Sequence, residues 1–154
     1  MAYAVIRVRG QPDVSNDIEY TMNLFGLYKV NHCAIVPDND VTKGMLQKIK
    51  DYVTYGEVSE ETLAQMIRVR GRLSGDRMIT DDYLAEKSDF KTVDDFAKAI
   101  INDDYKMKDV EAVKPVFRLH PPVKGYEGNK RSYKNGGALG YRGEAINDLI
   151  ARML

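Results

Sequence analysis

The sequence predicts a mixed fold of the α+β class, and three observations predict it. The N-terminal stretch alternates apolar and polar residues as a strand does. Two stretches at helical spacing follow, with a second strand between them. A run of short capped helices then separates this β-α-β-α start from a late third strand. In AYAVIRVRG, Ala4, Ile6 and Val8 fall on one face and Tyr3, Val5, Arg7 and Arg9 on the other, so a half-buried first strand is expected. After the turn Gly10-Gln11-Pro12-Asp13, residues Val14, Ile18, Thr21, Met22 and Phe25 recur at helical spacing. Asp13 or Ser15 is placed to cap that helix and Gly26 to stop it. YKVNHCAIV supplies the second strand, ended by Pro37 because proline cannot donate to a ladder.

A second helix is expected with Asp40 as its N-cap, Val41, Met45, Ile49, Tyr52 and Val53 as its apolar stripe and Gly56 closing it. Lys43, Gln47 and Lys50 mark its other face. In VSEETLAQMIRVRG, Ser59 is the cap and Val58 and Leu63 form a hydrophobic staple, while acids fill the first turn and arginines precede Gly71, charges that agree with the helix dipole. Further capped helices begin near Thr80 and Thr92. In VKPVFRLHPP, Phe117 and Leu119 face one way and Val116, Arg118 and His120 the other, which makes a third strand. Ile146, Leu149, Ile150 and Met153 form the stripe of a terminal helix. One domain over 1–154 is expected. Its parts are a β-α-β-α core (1–56), a helical acidic insertion (57–113), the third strand (114–122), a basic glycine-rich loop (123–143) and a C-terminal helix (144–154).

Composition narrows the function. The chain has 154 residues, with 44% hydrophobic and 30% charged, and no apolar run approaches the ~18 residues a membrane helix requires. MAYAVIRVRG has no apolar core or cleavage site of a secretory signal, and the single Cys33 cannot form an internal disulfide, so a cytoplasmic protein with no membrane partner is expected. Net charge is zero, but unevenly spread. Residues 1–75 carry nine Lys/Arg and nine Asp/Glu, residues 76–113 six and eleven, and residues 114–154 eight and three, giving net charges of 0, −5 and +5. A basic end of this kind suits a polyanionic partner.

Catalysis finds little support. His32 and His120 are far apart in sequence, and neighbouring strand residues such as His32 and Cys33 point to opposite faces, so no metal site is expected. The acid pairs Glu60-Glu61, Asp81-Asp82 and Asp94-Asp95 fall in first helical turns, where carboxylates are favoured without a catalytic role. No catalytic residue and no cofactor are assigned. Lys124 to Gly143, KGYEGNKRSYKNGGALGYRG, holds six glycines, three tyrosines, five Lys or Arg and one acid, a composition expected to form neither helix nor strand. Its NGGALG lacks the first glycine of a dinucleotide fingerprint and the Gly-Lys-Ser/Thr of a Walker loop. The combination fits binding of a polyanion: glycines admit a close backbone, Lys124, Lys130, Arg131, Lys134 and Arg142 neutralise phosphates, and Tyr133 can stack on a base. Five such contacts correspond to a log–log salt slope of about −3.5 to −4.5.

The stretches YAVIRVRG, NDIEYTMNLFGLYKVNHCAIVPD, DVTKGMLQKIKDYVTYGEVSEETL, RLHPP and KNGGALGYRGEAINDLI span nearly the whole chain. In them it resembles the universal large-subunit ribosomal protein L-thirty family, in its longer archaeal form, which is related to the eukaryotic protein L-seven. The resemblance implies a ferredoxin-like, three-stranded antiparallel sheet in the order 3-1-2, with two helices packed on one side and VFRLHPP as the third strand. It implies a non-enzymatic constituent of the large ribosomal subunit that binds and bridges its RNA during assembly. Its partners would be the large rRNA, the 5S rRNA and neighbouring ribosomal proteins. VTKGM puts Lys43 and Gly44 at the start of the second helix as an RNA contact, followed by Lys50, and the family adds Arg7, Arg9, His32, Arg118 and His120 on the strands. A second reading, a ferredoxin-like regulatory or small-molecule-binding enzyme subunit, would make the glycine-rich loop a lid over a concave pocket and would predict low sensitivity to salt.

Overall fold

The computed structural model of the chain describes residues 2–154. Its strands are β1 (Ala2–Arg7), β2 (His32–Pro37), β3 (Val53–Glu57), β4 (Val116–Arg118), β5 (Gly128–Ser132) and β6 (Gly137–Tyr141). Its helices are α1 (Asn16–Leu24), α2 (Asp40–Ile49), α3 (Glu60–Arg70), α4 (Asp81–Lys87), α5 (Val93–Ile101) and α6 (Ala145–Met153), with single 3-10 turns at Met107–Asp109 and Tyr133–Asn135.

All six strands join one sheet in the order β4-β2-β1-β3-β6-β5, which replaces the expected three-stranded sheet. β1 runs antiparallel to both neighbours, with Val5 opposite Ala34 on one side and Tyr55 on the other. The late strand β4 pairs with β2, through Cys33 and Phe117, and not with the first strand. The strand beside β1 is instead β3, a segment that the sequence reading placed at the end of α2. That helix stops at Ile49, and Tyr52 and Val53 continue its apolar spacing by chance of register. Gly56 lies inside β3. It ends no helix, and its missing side chain admits the Gly143 carbonyl, which a Cβ would approach to 2.0 Å.

The second departure is burial. β1 was expected to be half-buried, yet every described residue of it is buried, because helices cover both faces of the sheet. On one face, α1 and α2 pack Met22, Leu46 and Ile49 against Tyr3, Val5, Ala34 and Val53. On the other, Leu63 and Ile67 of α3, Phe96 of α5 and Ile146 and Ile150 of α6 meet Ala4, Ile6, Cys33 and Phe117. Each fully buried aliphatic or Phe side chain contributes about 1.5–3 kcal/mol, so the insertion and terminal helix supply half the sheet with its cover. Burial also pushes the Cys33 thiol far above its ordinary range, leaving it an inert core group.

Helix ends follow local chemistry. The side chains of Ser15, Asn39, Ser59, Thr80 and Thr92 accept the N–H of the third residue beyond them and cap α1 to α5. For α2 the cap is Asn39, one residue before the expected Asp40.

Candidate nucleic-acid interface

The glycine-rich segment forms the β3 end of the sheet. It was expected to hold no strand, but β6 runs parallel to β3 with Tyr141 opposite Tyr55. β5 lies beyond as the edge and pairs parallel to β6 with a register break between Gly128 and Ser132. The link Tyr133–Gly136 is too short for a regular parallel crossover, which accounts for the broken ladder.

Its base is fixed by packing, hydrogen bonds and ion pairs. Ala138 and Leu139 pack against Val8, and the Tyr126 hydroxyl donates to Asn31 Oδ1 at 2.5 Å. Arg142, 6% exposed, donates to Thr54 Oγ1 at 2.7 Å and to the Ala138 carbonyl at 2.9 Å, and lies 4.9 Å from the Tyr133 ring centre. Glu127, the sole acid of the segment, stands 3.6 Å from both Arg142 and Arg152, while Arg152 holds the carbonyls of Val123 and Gly125 at 3.2 Å.

The tip is free. Lys124, Lys130, Arg131 and Lys134 are exposed, and among the described residues no carboxylate lies within ion-pair distance of them. Tyr133 is half-exposed, one side lying against Arg142. Burial lowers the pKa of Arg142, and its hydrogen-bonding capacity is directed inward. Arg142 therefore leaves the set of cations that can touch a polyanion, and the expected salt slope of this segment becomes about −2.8 to −3.6 for four contacts.

The remaining sequence-predicted residues are scattered. Arg7 is fully buried; it donates to both carboxylate oxygens of Glu19, at 2.9 and 3.2 Å, to the Leu27 carbonyl at 2.8 Å and to the Arg9 carbonyl at 2.9 Å. No part of it reaches the surface. Arg9 is half-buried with its guanidinium 5.0 Å from the Tyr52 ring centre. Lys43 is exposed but paired with Asp38 at 3.1 Å, which holds that carboxyl below the usual range, and Gly44 and Lys50 are exposed on the same helix. At the opposite edge, Arg118 and Lys114 share Asp76, and His120 is exposed. His32 sits beside Arg118 across the β2–β4 pair; burial lowers its pKa, so it is uncharged at neutral pH. The sequence reading missed the fixing residues Tyr126, Glu127 and Arg152. A lone acid in a basic run was the available signal.

No three His, Cys, Asp or Glu side chains among the described residues converge to hold a metal ion. None of the described helices is long and apolar enough to cross a membrane. A cavity of 480 Å³ lies at the β2–β4 edge between Phe25, Ile35, Met107 and Val116, and the glycine-rich segment does not line it, so that segment is not its lid.

The profile described as Ribosomal protein L30p/L7e matches residues 3–53. Similarity to archaeal proteins named Large ribosomal subunit protein uL30 runs much further. That of Methanobrevibacter smithii is 49% identical over 152 residues, covering 99% of either chain. That of Archaeoglobus fulgidus is 48% identical over 151 residues, and that of Methanoculleus marisnigri 46% over 151, each covering 98% of this chain and 99% of the relative. The chain belongs to the uL30 family. Membership makes it a structural protein and not an enzyme. The uL30 profile spans β1 to the start of β3, whereas the full-length matches carry the relationship through the insertion and the basic edge.

Proposed function

We propose that this chain is a structural constituent of the large ribosomal subunit, in the cytoplasm, that binds and bridges rRNA. Its partners are the large rRNA, the 5S rRNA and neighbouring ribosomal proteins. The observation that carries the RNA reading is the anchored edge with its free tip: Lys124, Lys130, Arg131 and Lys134 are exposed and, among the described residues, have no ion-pair partner, on a segment whose base is held by Tyr126, Leu139 and Arg142. Cations without internal partners displace counterions from phosphates at full effect. Arg9, Lys50, Arg118 and His120 are secondary contacts, as are Tyr133 and His32. At the start of α2, Lys43 and Gly44 offer a cation and an open backbone, although a phosphate there exchanges with Asp38.

Two measurements test this. The wild-type chain sediments with large subunits in a sucrose gradient; its absence there overturns the ribosomal role. Changing Lys130, Arg131 and Lys134 together to Ala lowers retention on salt-washed large subunits, and undiminished retention removes the tip from the interface.

A further inference from the structure

A second feature lies on the face of the sheet, and it deepens the RNA reading given above, on which it rests. Tyr3 stands opposite Glu57 across β1 and β3, Val5 opposite Tyr55, and Tyr55 opposite Tyr141 across β3 and β6. Residues directly opposite project from the same face. Tyr3, Tyr55, Glu57 and Tyr141 therefore share the face on which α1 and α2 cover β1 and β2. The cover ends before β6: Tyr3 is 7% exposed, Tyr55 half-buried and Tyr141 44% exposed. The three rings form one group, with centroids 5.9, 5.6 and 6.5 Å apart.

α2 borders this group. Its exposed residues Lys43, Gln47 and Lys50 follow i, i+4, i+7 spacing and so form one stripe. The stripe lies on the side of α2 away from Lys48, which pairs with Asp17 of α1. Since α1 lies toward β2 and β4, the stripe is on the side of α2 toward β3 and β6. The Tyr141 hydroxyl donates to Glu57, a bond that with partial burial pushes the phenol up to about 12, so the ring stays neutral.

We propose that Tyr141 and Tyr55 form a stacking floor for unpaired RNA bases, with the Lys43–Lys50 stripe of α2 alongside for the backbone phosphates. Aromatic rings offer a surface that every base can stack on, and a duplex hides its base faces, so the site takes single-stranded or looped-out RNA. Lys50 on the wall meets a phosphate directly and Lys43 does so in exchange for Asp38, while the second oxygen of Glu57 can accept an N–H from a base edge. Tyr133, the tyrosine favoured by sequence, has Arg142 against one side of its ring.

The test uses the full chain and a short single-stranded RNA oligonucleotide carrying 2-aminopurine, compared with the same strand in a duplex. The wild-type chain should quench the probe in the single strand and not in the duplex. Tyr141→Leu should weaken single-strand binding by about 5- to 150-fold, the range spanned by base–aromatic stacking, with the log–log salt slope unchanged. Tyr141→Phe, which keeps the ring, should bind like wild type. Unchanged affinity of the Leu variant, an altered slope, or a Phe variant as weak as Leu would each overturn the floor. Should the Leu variant not fold, nitration of Tyr141 in the wild-type chain decides: bound RNA should protect it, and equal nitration with and without RNA counts against the proposal. A wild-type chain that binds no RNA rejects the RNA reading itself, whereas a binding chain indifferent at Tyr141 rejects only this site.

Discussion

Arg7 directs its guanidinium to Glu19 and to the carbonyls of Leu27 and Arg9, all inside the fold, whereas Arg131 meets solvent; composition counts them alike. Arg7 is fully buried and Glu19 half-buried, so losing the carboxylate charge leaves the guanidinium uncompensated inside the fold. Glu19→Gln should therefore destabilise the chain by about 1.5–3 kcal/mol in urea titrations while leaving RNA retention of the folded fraction intact. His32 carries a pH dependence. Burial lowers its pKa in the folded chain, so above about pH 6.5 neither state is protonated and the site is neutral to stability. As pH falls through about 6.5 the unfolded chain takes up the proton first, and stability declines until the folded pKa is reached. His32→Gln should flatten that part of the acid limb, as measured by unfolding at about pH 7.5 and 5.5.

At the scale of elements, two glycines act in opposite ways. A Cβ at Gly56 would meet the Gly143 carbonyl at 2.0 Å and Ile146 Cβ at 3.1 Å, so Gly56→Ala should loosen the start of α6. A loss of about 1–3 kcal/mol and faster proteolysis within residues 123–143 are expected. A Cβ at Gly44 would meet, among the described residues, nothing within 4 Å beyond its chain neighbours and its own helix backbone, and Gly44→Ala should stabilise α2 by about 0.5–1 kcal/mol in thermal unfolding. Caps were the most legible elements, because Ser59, Thr80 and Thr92 act through neighbours three residues away. The end of α2 was not legible, since Tyr52 and Val53 extend its helical spacing while Val53 is buried from a strand. β5 and β6 were hidden for a related reason. Their pairing depends on β3, reached after a long insertion, and glycine-rich sequence carries little strand signal of its own. The same distance hid the fixing of Arg142 by Thr54.

For the whole molecule, zero net charge and a basic edge coexist because many cations are matched locally, as in the Arg68–Asp94 and Lys48–Asp17 pairs, and the tip is left unmatched. Replacing Lys130, Arg131 and Lys134 by Ala should reduce the salt slope of RNA association by about 2, at ~0.7 per contact with a single strand. A further consequence follows from the way the basic segment is tied down. Ala138, Leu139, Tyr126 and Arg142 already hold its backbone in the free chain. Binding then adds phosphate contacts without folding a coil. Titration calorimetry should accordingly record only a small negative heat-capacity change on association, well short of the change that accompanies burial of about 1,000–3,000 Å² in coupled folding, and Tyr126→Ala, which frees one anchor, should make it larger.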